Sequence, residues 1–404
     1  MQLYEVRQQL NARPLADVAA AVTAELDRLN PAVPEGDVAI TVGSRGIRNL
    51  PTIIHACGQW LKQRGASPFI VPAMGSHNGA TAVGQREMIE SLGVTEAAME
   101  MPIRASMEVV RLADVSSGSV YMDRYCYEAE GVLVVNRIKL HTCFSGPVQS
   151  GLTKMMVVGM GKIRSAETFH STPTPQMKDM LLEMGQCVID SGKILAGLAI
   201  LEDGNDDTAE LHAVAAKQIL SREPELLQRH REYFPTLPVD QLNVLVVDSI
   251  GKTYSGTGMD TNVIGRRGVQ GLEDVTRPQI RVIAALELSA ASRGNAIGVG
   301  LADFITQSLR DAIDEQKTML NVLTTGEMSR GKIPATMPDD ESLIDTIRGR
   351  FGEQGWMFIP NTLCLDRLYV TEDLCEPLRR HPRCSVASEP VECRFADGRL
   401  QLFS

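Results

Sequence analysis

Aromatic residues are scarce in this chain of 404 residues, at 4% of the composition. Proteins that hold single-stranded nucleic acid stack the bases on aromatic side chains, so such a partner is not expected. A basic balance is missing as well, because 50 Asp and Glu residues outnumber 40 Lys and Arg residues and give a net charge of −10. Binding to a phosphate backbone needs a basic face, so the composition disfavours any nucleic-acid partner.

Long apolar runs are also lacking. None approaches the roughly 20 residues that a membrane-spanning helix needs. Near the N-terminus, Glu5, Arg7 and Arg13 interrupt any signal-peptide core. The eight cysteines are widely scattered and none forms a CxxC pair, which disfavours a zinc knuckle or a disulfide framework. We therefore expect a cytoplasmic protein with reduced thiols and no membrane partner.

Standard nucleotide motifs are absent. The stretches VVGMGK, which contains Gly159, and GNAIGVG are rich in glycine but do not give GxGxxG after a first strand. The sequence also lacks GxxxxGK[ST]. Close approach of the backbone to a phosphate at Gly159 and ordinary turn formation both remain open.

Apolar, β-branched runs do recur between helical patterns. DVAITVG (37–43), SPFIVPAMGSH and GVLVVNRIKLH predict strands, and NLPTIIHACGQWLKQRG and TAVGQREMIESLGV predict helices. This alternation is typical of an α/β protein with largely parallel sheets. From TPTPQMKDMLLEMGQCVIDSG to residue 234 the pattern predicts helices, and on them His212 and His230 are expected to be exposed.

Two prolines in PTLPVDQ interrupt the pattern, and a new apolar strand, LNVLVVDSIG, follows. We predict two α/β domains, residues 1–239 and 240–404, with the active site in the cleft between them. In the second domain IRVIAALEL predicts a strand, and DFITQSLRDAIDEQKTMLNVL and SLIDTIRGRFG predict helices. The tail predicts a hairpin that turns at Asp397–Gly398.

Polar side chains follow three predicted strands at the points where each strand ends. In α/β sheets, ligands bind beyond the carboxyl ends of the strands. Taken singly, these residues are most simply explained as turn residues and solvated charges. Together they suggest an acid/base pair beside a clamp for a carboxylate. The polar residues that follow the three strands are Arg45 and Arg48, Ser76 and His77, and Asn136, Lys139 and His141.

The segment SGLTKMMVVGMGKIRSAETFH (150–170) places Lys154 at the start of an apolar run. A lysine in such a setting either extends its ammonium group to water or uses its amine chemically. Together with PAMGSHNGAT and NRIKLHTCFSG, the segment resembles the nickel-dependent lactate racemase family. The likeness follows the family's motif order through most of the N-terminal half and is weaker beyond it.

The resemblance implies a cofactor, the nickel-pincer nucleotide, which is a pyridinium-3-thioamide-5-thiocarboxylic acid mononucleotide that holds nickel. By motif position its tether would be Lys154, its protein ligand to nickel His170, and the two acid/base groups His77 and His141. Arg45, Ser76 and Gly159 would also contact the cofactor. Lys162 is the other candidate tether, but its spacing to His170 does not fit the family.

Two departures from the family pattern concern the substrate. In GSRGIR, Arg45 stands where the family has an aspartate, and Arg48 aligns with the family's arginine. In DSIGKTYSGTGMDTNVIGR, Lys252, Tyr254, Asp260 and Asn262 replace the residues that hold the substrate carboxylate. These changes favour a 2-hydroxy acid that is larger or more polar than lactate.

The resemblance therefore implies a racemase or epimerase that inverts C2 of a small-molecule 2-hydroxy acid by reversible hydride transfer, and cofactor-biosynthesis enzymes would be its partners. An oxidoreductase that releases the keto acid and a non-catalytic carrier of the cofactor remain alternatives. A metal-dependent hydrolase is disfavoured because the sequence has no HxH or HExxH cluster.

Overall fold

The computed structural model describes residues 1–403, which form two compact units. One unit is Asn11–Phe234, here called the N-terminal unit. The other combines Met1–Leu10 with the residues from Pro235 onward and is here called the C-terminal unit. The first ten residues thus lie with the C-terminal unit, whereas the predicted division at residue 240 assigns them to the N-terminal domain. Within residues 1–403, no helix is long and apolar enough to cross a bilayer.

The strands of both units are numbered along the chain. They are β1 (Gln2–Gln8), β2 (Gly36–Val42), β3 (Ala66–Pro72), β4 (Val109–Val115), β5 (Gly118–Asp123), β6 (Gly131–Arg137), β7 (Ile194–Glu202), β8 (Thr208–Ala215), β9 (Gln241–Ile250), β10 (Gln279–Leu288), β11 (Phe304–Thr306), β12 (Ala335–Met337), β13 (Trp356–Ile359), β14 (Arg367–Val370), β15 (Cys384–Val386), β16 (Val391–Glu392), β17 (Phe395–Ala396) and β18 (Arg399–Leu400).

The α-helices are numbered in the same way. They are α1 (Val18–Leu29), α2 (Leu50–Lys62), α3 (Ala82–Ser91), α4 (Glu96–Met99), α5 (Arg124–Glu128), α6 (Leu152–Lys154), α7 (Lys162–Ser171), α8 (Met177–Asp190), α9 (Ile219–Tyr233), α10 (Thr261–Ile264), α11 (Gln307–Asp311), α12 (Glu315–Thr325), α13 (Asp340–Phe351) and α14 (Cys375–Arg380).

The N-terminal unit is built on a five-stranded sheet in the order β3-β2-β6-β7-β8. The first four strands are parallel, and β8 runs antiparallel to β7 at the edge. Helix α2 begins with Pro51 in its first turn and buries Ile53, Cys57, Trp60 and Leu61 against the sheet, at the spacing of one helical face. Each such buried apolar side chain contributes about 1.5–3 kcal/mol.

The sequence prediction for residues 191–215 is wrong, because β7 and β8 replace the expected helix. The run ILAGLAILE of β7 is almost completely buried. Apolar periodicity alone cannot distinguish a strand that is covered on both faces from a buried helix. In β8 the burial alternates along Leu211, His212 and Ala213, which is the pattern of a half-covered strand.

The C-terminal unit has a nine-stranded sheet in the order β12-β11-β10-β9-β13-β14-β1-β15, with β16 also paired to β1. The strands from β12 to β13 are parallel, and β14, β1 and β15 continue the sheet in antiparallel fashion. The predicted hairpin at Asp397–Gly398 is confirmed by the pairing of β17 with β18. The single helix predicted from Asp303 is wrong, because β11, α11 and α12 share that stretch. Both units confirm the predicted α/β class with largely parallel sheets.

Candidate functional site

The carboxyl ends of β2, β3 and β6 meet at one edge of the N-terminal sheet. The strands are adjacent and parallel, so the residues that follow them emerge side by side, as predicted. Arg45 follows β2, His77 follows β3, and His141 follows β6. The contacts around these three residues define the candidate site.

The helical segment from Leu152 to Ser171 lies against this edge and contains one wide turn. It is interrupted at Met160 and Gly161, and Lys162 after the break has a φ of +53°. Helix α6 ends at Lys154, a π-helical stretch covers Met155–Gly159, and α7 begins at Lys162. The amide of Met160 donates to the carbonyl of Met155, the i→i+5 bond of a π-helix. Such π turns are rare and frequently mark functional sites. Here the turn separates Lys154 from His170.

Lys154 and His141 form a direct pair. The Nζ atom of Lys154 lies 2.8 Å from Nε2 of His141, and the backbone amide of Cys143 donates to Nδ1 of the same ring at 3.1 Å. Because Nδ1 accepts, it carries a lone pair, and we assign the ring proton to Nε2. An ammonium cannot donate to a nitrogen that already bears hydrogen. With this tautomer, His141 donates from Nε2 to Lys154 when the lysine is a neutral amine.

The surroundings of Lys154 shift its pKa toward the neutral amine, which becomes the major form above about pH 8. Its side chain is half-buried, but protein atoms surround the amino group closely enough that desolvation lowers its pKa to about 8. The nearby Cys143 opposes this shift, and the positive charge of Arg45 adds to it. No carboxylate is paired with this lysine among residues 1–403.

An aromatic chain connects His141 to His170. The ring of His141 lies 4.3 Å from that of Phe144, which meets Phe169 at 6.1 Å, and Phe169 meets His170 at 5.6 Å. The Nζ atom of Lys154 lies 5.2 Å from the centre of the Phe169 ring. Burial lowers the pKa of His170, as does the positive charge of Lys154 when it is protonated. The structure thus brings together the predicted tether and the predicted nickel ligand.

His77 is exposed and lies at the same edge. Its Nδ1 contacts the hydroxyl of Ser44, the residue before Arg45. The loop that carries His77 and Ser76 is fixed to the wide turn, because the amide of Gly75 donates to the carbonyl of Gly159 at 3.2 Å. A Cβ atom at Gly159 would lie 2.8 Å from the carbonyl oxygen of Ala73, so close packing already explains this glycine.

The arginines at this edge differ in their partners. Arg137 pairs with the buried Glu202, and Arg48 pairs with Asp207 at 2.9 Å with its side chain 64% exposed. Arg45 has no carboxylate partner among residues 1–403. Burial lowers its pKa, as does the nearby charge of Arg137. An unpaired guanidinium beside other cations favours an anionic ligand.

The predicted substrate contacts Lys252, Tyr254 and Asp260 belong to the C-terminal unit. Lys252 donates from Nζ to Oδ1 of Asn321 at 2.7 Å. The carboxylate of Asp260 caps α10, where it accepts from the amide of Asn262 at 2.9 Å. Their role toward a substrate stays a prediction.

Lys162, the second lysine of the helical segment, has a structural role. It is fully buried, with Nζ 3.1 Å from Oδ2 of Asp123, and it donates to the carbonyl of Pro72 and to the side chain of Gln85. Burial raises the pKa of Asp123, and the charge of Lys162 opposes that shift. Sequence reasoning missed Asp123, since it lies 39 residues before Lys162 in the chain.

His230 also departs from expectation. The sequence predicts an exposed histidine, but its side chain is only 4% exposed and packs against Phe234 at 5.8 Å. Burial lowers its pKa to about 3, and the charges of Lys139 and Arg137 contribute. The amphipathic face of α9, which also buries Leu226, Leu227 and Tyr233, was the signal that placed it inside.

The N-terminal unit also contains a cavity away from the candidate site. A cavity of about 410 Å³ opens at the opposite edge of the sheet, by the first residues of β6 and β7, and its lining is mixed, with Glu130 and Lys193 among apolar residues. Within residues 1–403, no three His, Cys, Asp or Glu side chains cluster as ligands for a metal ion. A bare metal ion held by protein side chains alone, as the hydrolase alternative requires, therefore has no support here.

Comparison with known proteins finds a likeness of fold. The chain is similar to the solved structure of the lactate racemase apoprotein from Thermoanaerobacterium thermosaccharolyticum, with a TM-score of 0.53 over 88% of this chain and 94% of that chain, at 12% sequence identity. No protein-family model matches the chain. No curated protein matches it. At this identity the likeness concerns architecture, and the chain shares the fold of that protein.

Proposed function

We propose that this protein is a racemase or epimerase that inverts C2 of a 2-hydroxy acid with a nickel-pincer nucleotide as cofactor. The observation that carries the proposal is the grouping of Lys154, His141 and His170 around one aromatic chain, in surroundings that lower the pKa of Lys154. The fold likeness to a lactate racemase supports it as an analogy.

The residues present fit such a cofactor. A neutral, desolvated amine is the form of lysine that makes covalent bonds, which suits Lys154 as the tether. Within residues 1–403, His170 belongs to no group of three or more His, Cys, Asp or Glu side chains, which suits a metal that arrives with most of its own donors. The unpaired Arg45 suits the phosphate of a nucleotide, and Ser76 and Gly159 lie on the adjoining loop and turn. When bound, the cofactor would supply the hydride acceptor.

The protein's own groups would manage the protons and the orientation of the substrate. His77 and His141 would exchange the hydroxyl proton on the two faces of the substrate, which contributes about 10²–10⁴-fold to the rate. A tether through Lys154 would use the lone pair that now accepts from Nε2–H of His141, so that His141 could then serve the substrate. Arg48 and the residues Lys252, Tyr254 and Asp260 remain the proposed contacts to the substrate.

The test is co-expression of the chain with the enzymes that make the cofactor. We expect nickel in the purified protein, a mass increase on the peptide that contains Lys154, and interconversion of epimers in a screen of hydroxy and sugar acids. The variants His77→Ala and His141→Ala should lose turnover while the protein stays folded.

Three outcomes would contradict this function. Net release of keto acid would indicate an oxidoreductase, and loading without turnover on any hydroxy acid would indicate a carrier. Absence of both nickel and the adduct at Lys154 would show that the protein does not bind this cofactor.

A further inference from the structure

A buried carboxyl group from a distant helix caps the helical segment that carries Lys154. Glu223 belongs to α9, 70 residues after Thr153. Its Oε2 accepts from both the amide and the hydroxyl of Thr153, each at 2.8 Å. Glu223 is 1% exposed and Thr153 is fully buried, so water does not compete for these hydrogen bonds.

The local sequence lacks a cap of its own. Helices usually begin with a Ser, Thr, Asp or Asn whose side chain satisfies the first free amides. Here the residue before the helix is Gly151, which has no side chain to offer. A Cβ atom at Gly151 would overlap the carboxyl group of Glu223, and it would also lie 2.8 Å from Cδ1 of Ile138. Gly151 thus leaves space for a cap supplied by another helix.

The capped turn is fixed from its other side as well. The side-chain amide of Asn136, at the end of β6, donates to the carbonyl of Gly151 at 2.8 Å. Ser150 and Lys139 exchange two backbone hydrogen bonds, at 2.7 and 3.2 Å. These hydrogen bonds fix the end of β6, which leads to His141, against the start of α6, which carries Lys154.

The geometry points to Glu223 as a positioning residue, which fixes the first helical turn so that the amine of Lys154 stays against Nε2 of His141. This inference rests on the proposed function, because it concerns the same lysine. Glu223 itself acts only through Thr153. Burial raises the pKa of Glu223 to about 7, with hydrogen bonds from Thr153 and Leu152 in opposition, so an acceptor without full charge is sufficient for the cap.

The experiment measures the reactivity of Lys154 in the cofactor-free chain. Pyridoxal 5′-phosphate forms an imine with a neutral amine, and borohydride fixes the adduct, which mass spectrometry then quantifies on the peptide 150–170. Glu223→Ala removes the acceptor, so the turn should open and the amine should regain water and its proton. We expect the labelling rate at pH 7.5 to fall at least about tenfold, the equivalent of one lost hydrogen bond.

Two control variants separate positioning from general loss of stability. Glu223→Gln keeps an acceptor oxygen and should retain labelling within about threefold of the parent chain. Leu227→Ala, a buried neighbour on the same helix, should lower the melting temperature without slowing the labelling of Lys154.

The inference is overturned if Glu223→Ala labels at the parent rate, or if Leu227→Ala slows labelling as much as Glu223→Ala does. A failed glutamine rescue would equally count against it. Because no nickel is involved, a loaded chain that fails to interconvert epimers would contradict the proposed function and leave this result intact.

Discussion

Lys154 and Lys162 lie eight residues apart on one helical segment, and their surroundings are opposite. Lys162 is fully buried beside a carboxylate and donates to two oxygen acceptors. Lys154 has an imidazole N–H as its partner and a guanidinium nearby. A buried lysine is structural when its partners hold the charged form, and it is available for chemistry when they hold the neutral form.

The largest expected effect concerns stability. Lys162→Met leaves Asp123 buried without its cation, which should lower the free energy of unfolding by about 3–5 kcal/mol. Lys154→Met removes a half-buried amine that holds no buried carboxylate, and the loss should stay below about 1 kcal/mol. Urea unfolding followed by Trp60 fluorescence in a Trp356→Phe background reports on the N-terminal unit, since the chain has only these two tryptophans.

A matched pair of variants checks the cause. Asp123→Asn retains an acceptor for the amides of Tyr125 and Cys126, which Asp123 caps, and should recover part of the loss when combined with Lys162→Met. Equal losses of unfolding free energy from Lys162→Met and Lys154→Met would contradict the proposed difference between the two lysines.

The second-largest expected effect is a change of stability with pH. It follows from comparing Asp123 and Glu223, the two buried carboxyl groups that contact the same helical segment. Asp123 has a cation as partner, whereas Glu223 has only neutral donors. The folded-state pKa of Glu223 is raised from 4.5 to about 7, so its contribution is fully present below about pH 4.5 and is lost as the pH rises through 7. Relative to Glu223→Gln, the parent chain should lose about 3 kcal/mol over that range. Parallel unfolding curves at pH 5 and pH 8.5 measure the difference, and a constant gap between the two proteins would contradict the raised pKa.

The third effect is chemical selectivity between the two lysines. At pH 7 a lysine with a pKa near 8 has roughly 10²-fold more neutral amine than an ordinary lysine. Labelling of Lys154 by pyridoxal 5′-phosphate should therefore rise through a midpoint near pH 8, while Lys162 stays unlabelled in the folded chain. A midpoint near pH 10, or labelling of both lysines at similar rates, would contradict the contrast.

The smallest expected effect is a shift in the labelling midpoint of Lys154. Its direction shows whether Lys154 or His141 is the hydrogen-bond donor. His141→Phe keeps the ring against Phe144 but removes the N–H that donates to Lys154. Since that bond favours the neutral amine, its loss should raise the labelling midpoint of Lys154 by up to about one pH unit. A lower midpoint would show instead that the lysine donates to the ring as an ammonium.

The strand ends were the most predictable part of the site. DVAITVG and GVLVVNRIKLH are short apolar runs with polar residues directly after them, and β2 and β6 bear out both predictions. Local pattern and the rule for parallel sheets sufficed to place Arg45, His77 and His141 at one edge. The helix expected over residues 191–215 failed because a fully covered strand has no alternation to detect.

The contacts that tune Lys154 could not be read from the sequence. Glu223 and Thr153 meet across 70 residues, and nothing in the run REPELLQRH distinguishes the buried Glu223 from the exposed Glu225. Nothing in the sequence singles out Phe144 and Phe169, and only the packing shows that they connect His141 to His170. Protonation states depend on such partners, so they follow from the folded chain.

The wide turn at Met155–Gly159 affects how related chains should be aligned. A π turn holds one residue more than an α turn, and each residue in an α-helix rotates the next side chain by about 100°. A relative that lacks the extra residue would need an interval between lysine and histidine one residue shorter to present the same two side chains together. Motif searches that fix the interval at sixteen residues would miss such a relative, and a gap placed inside this turn would recover it.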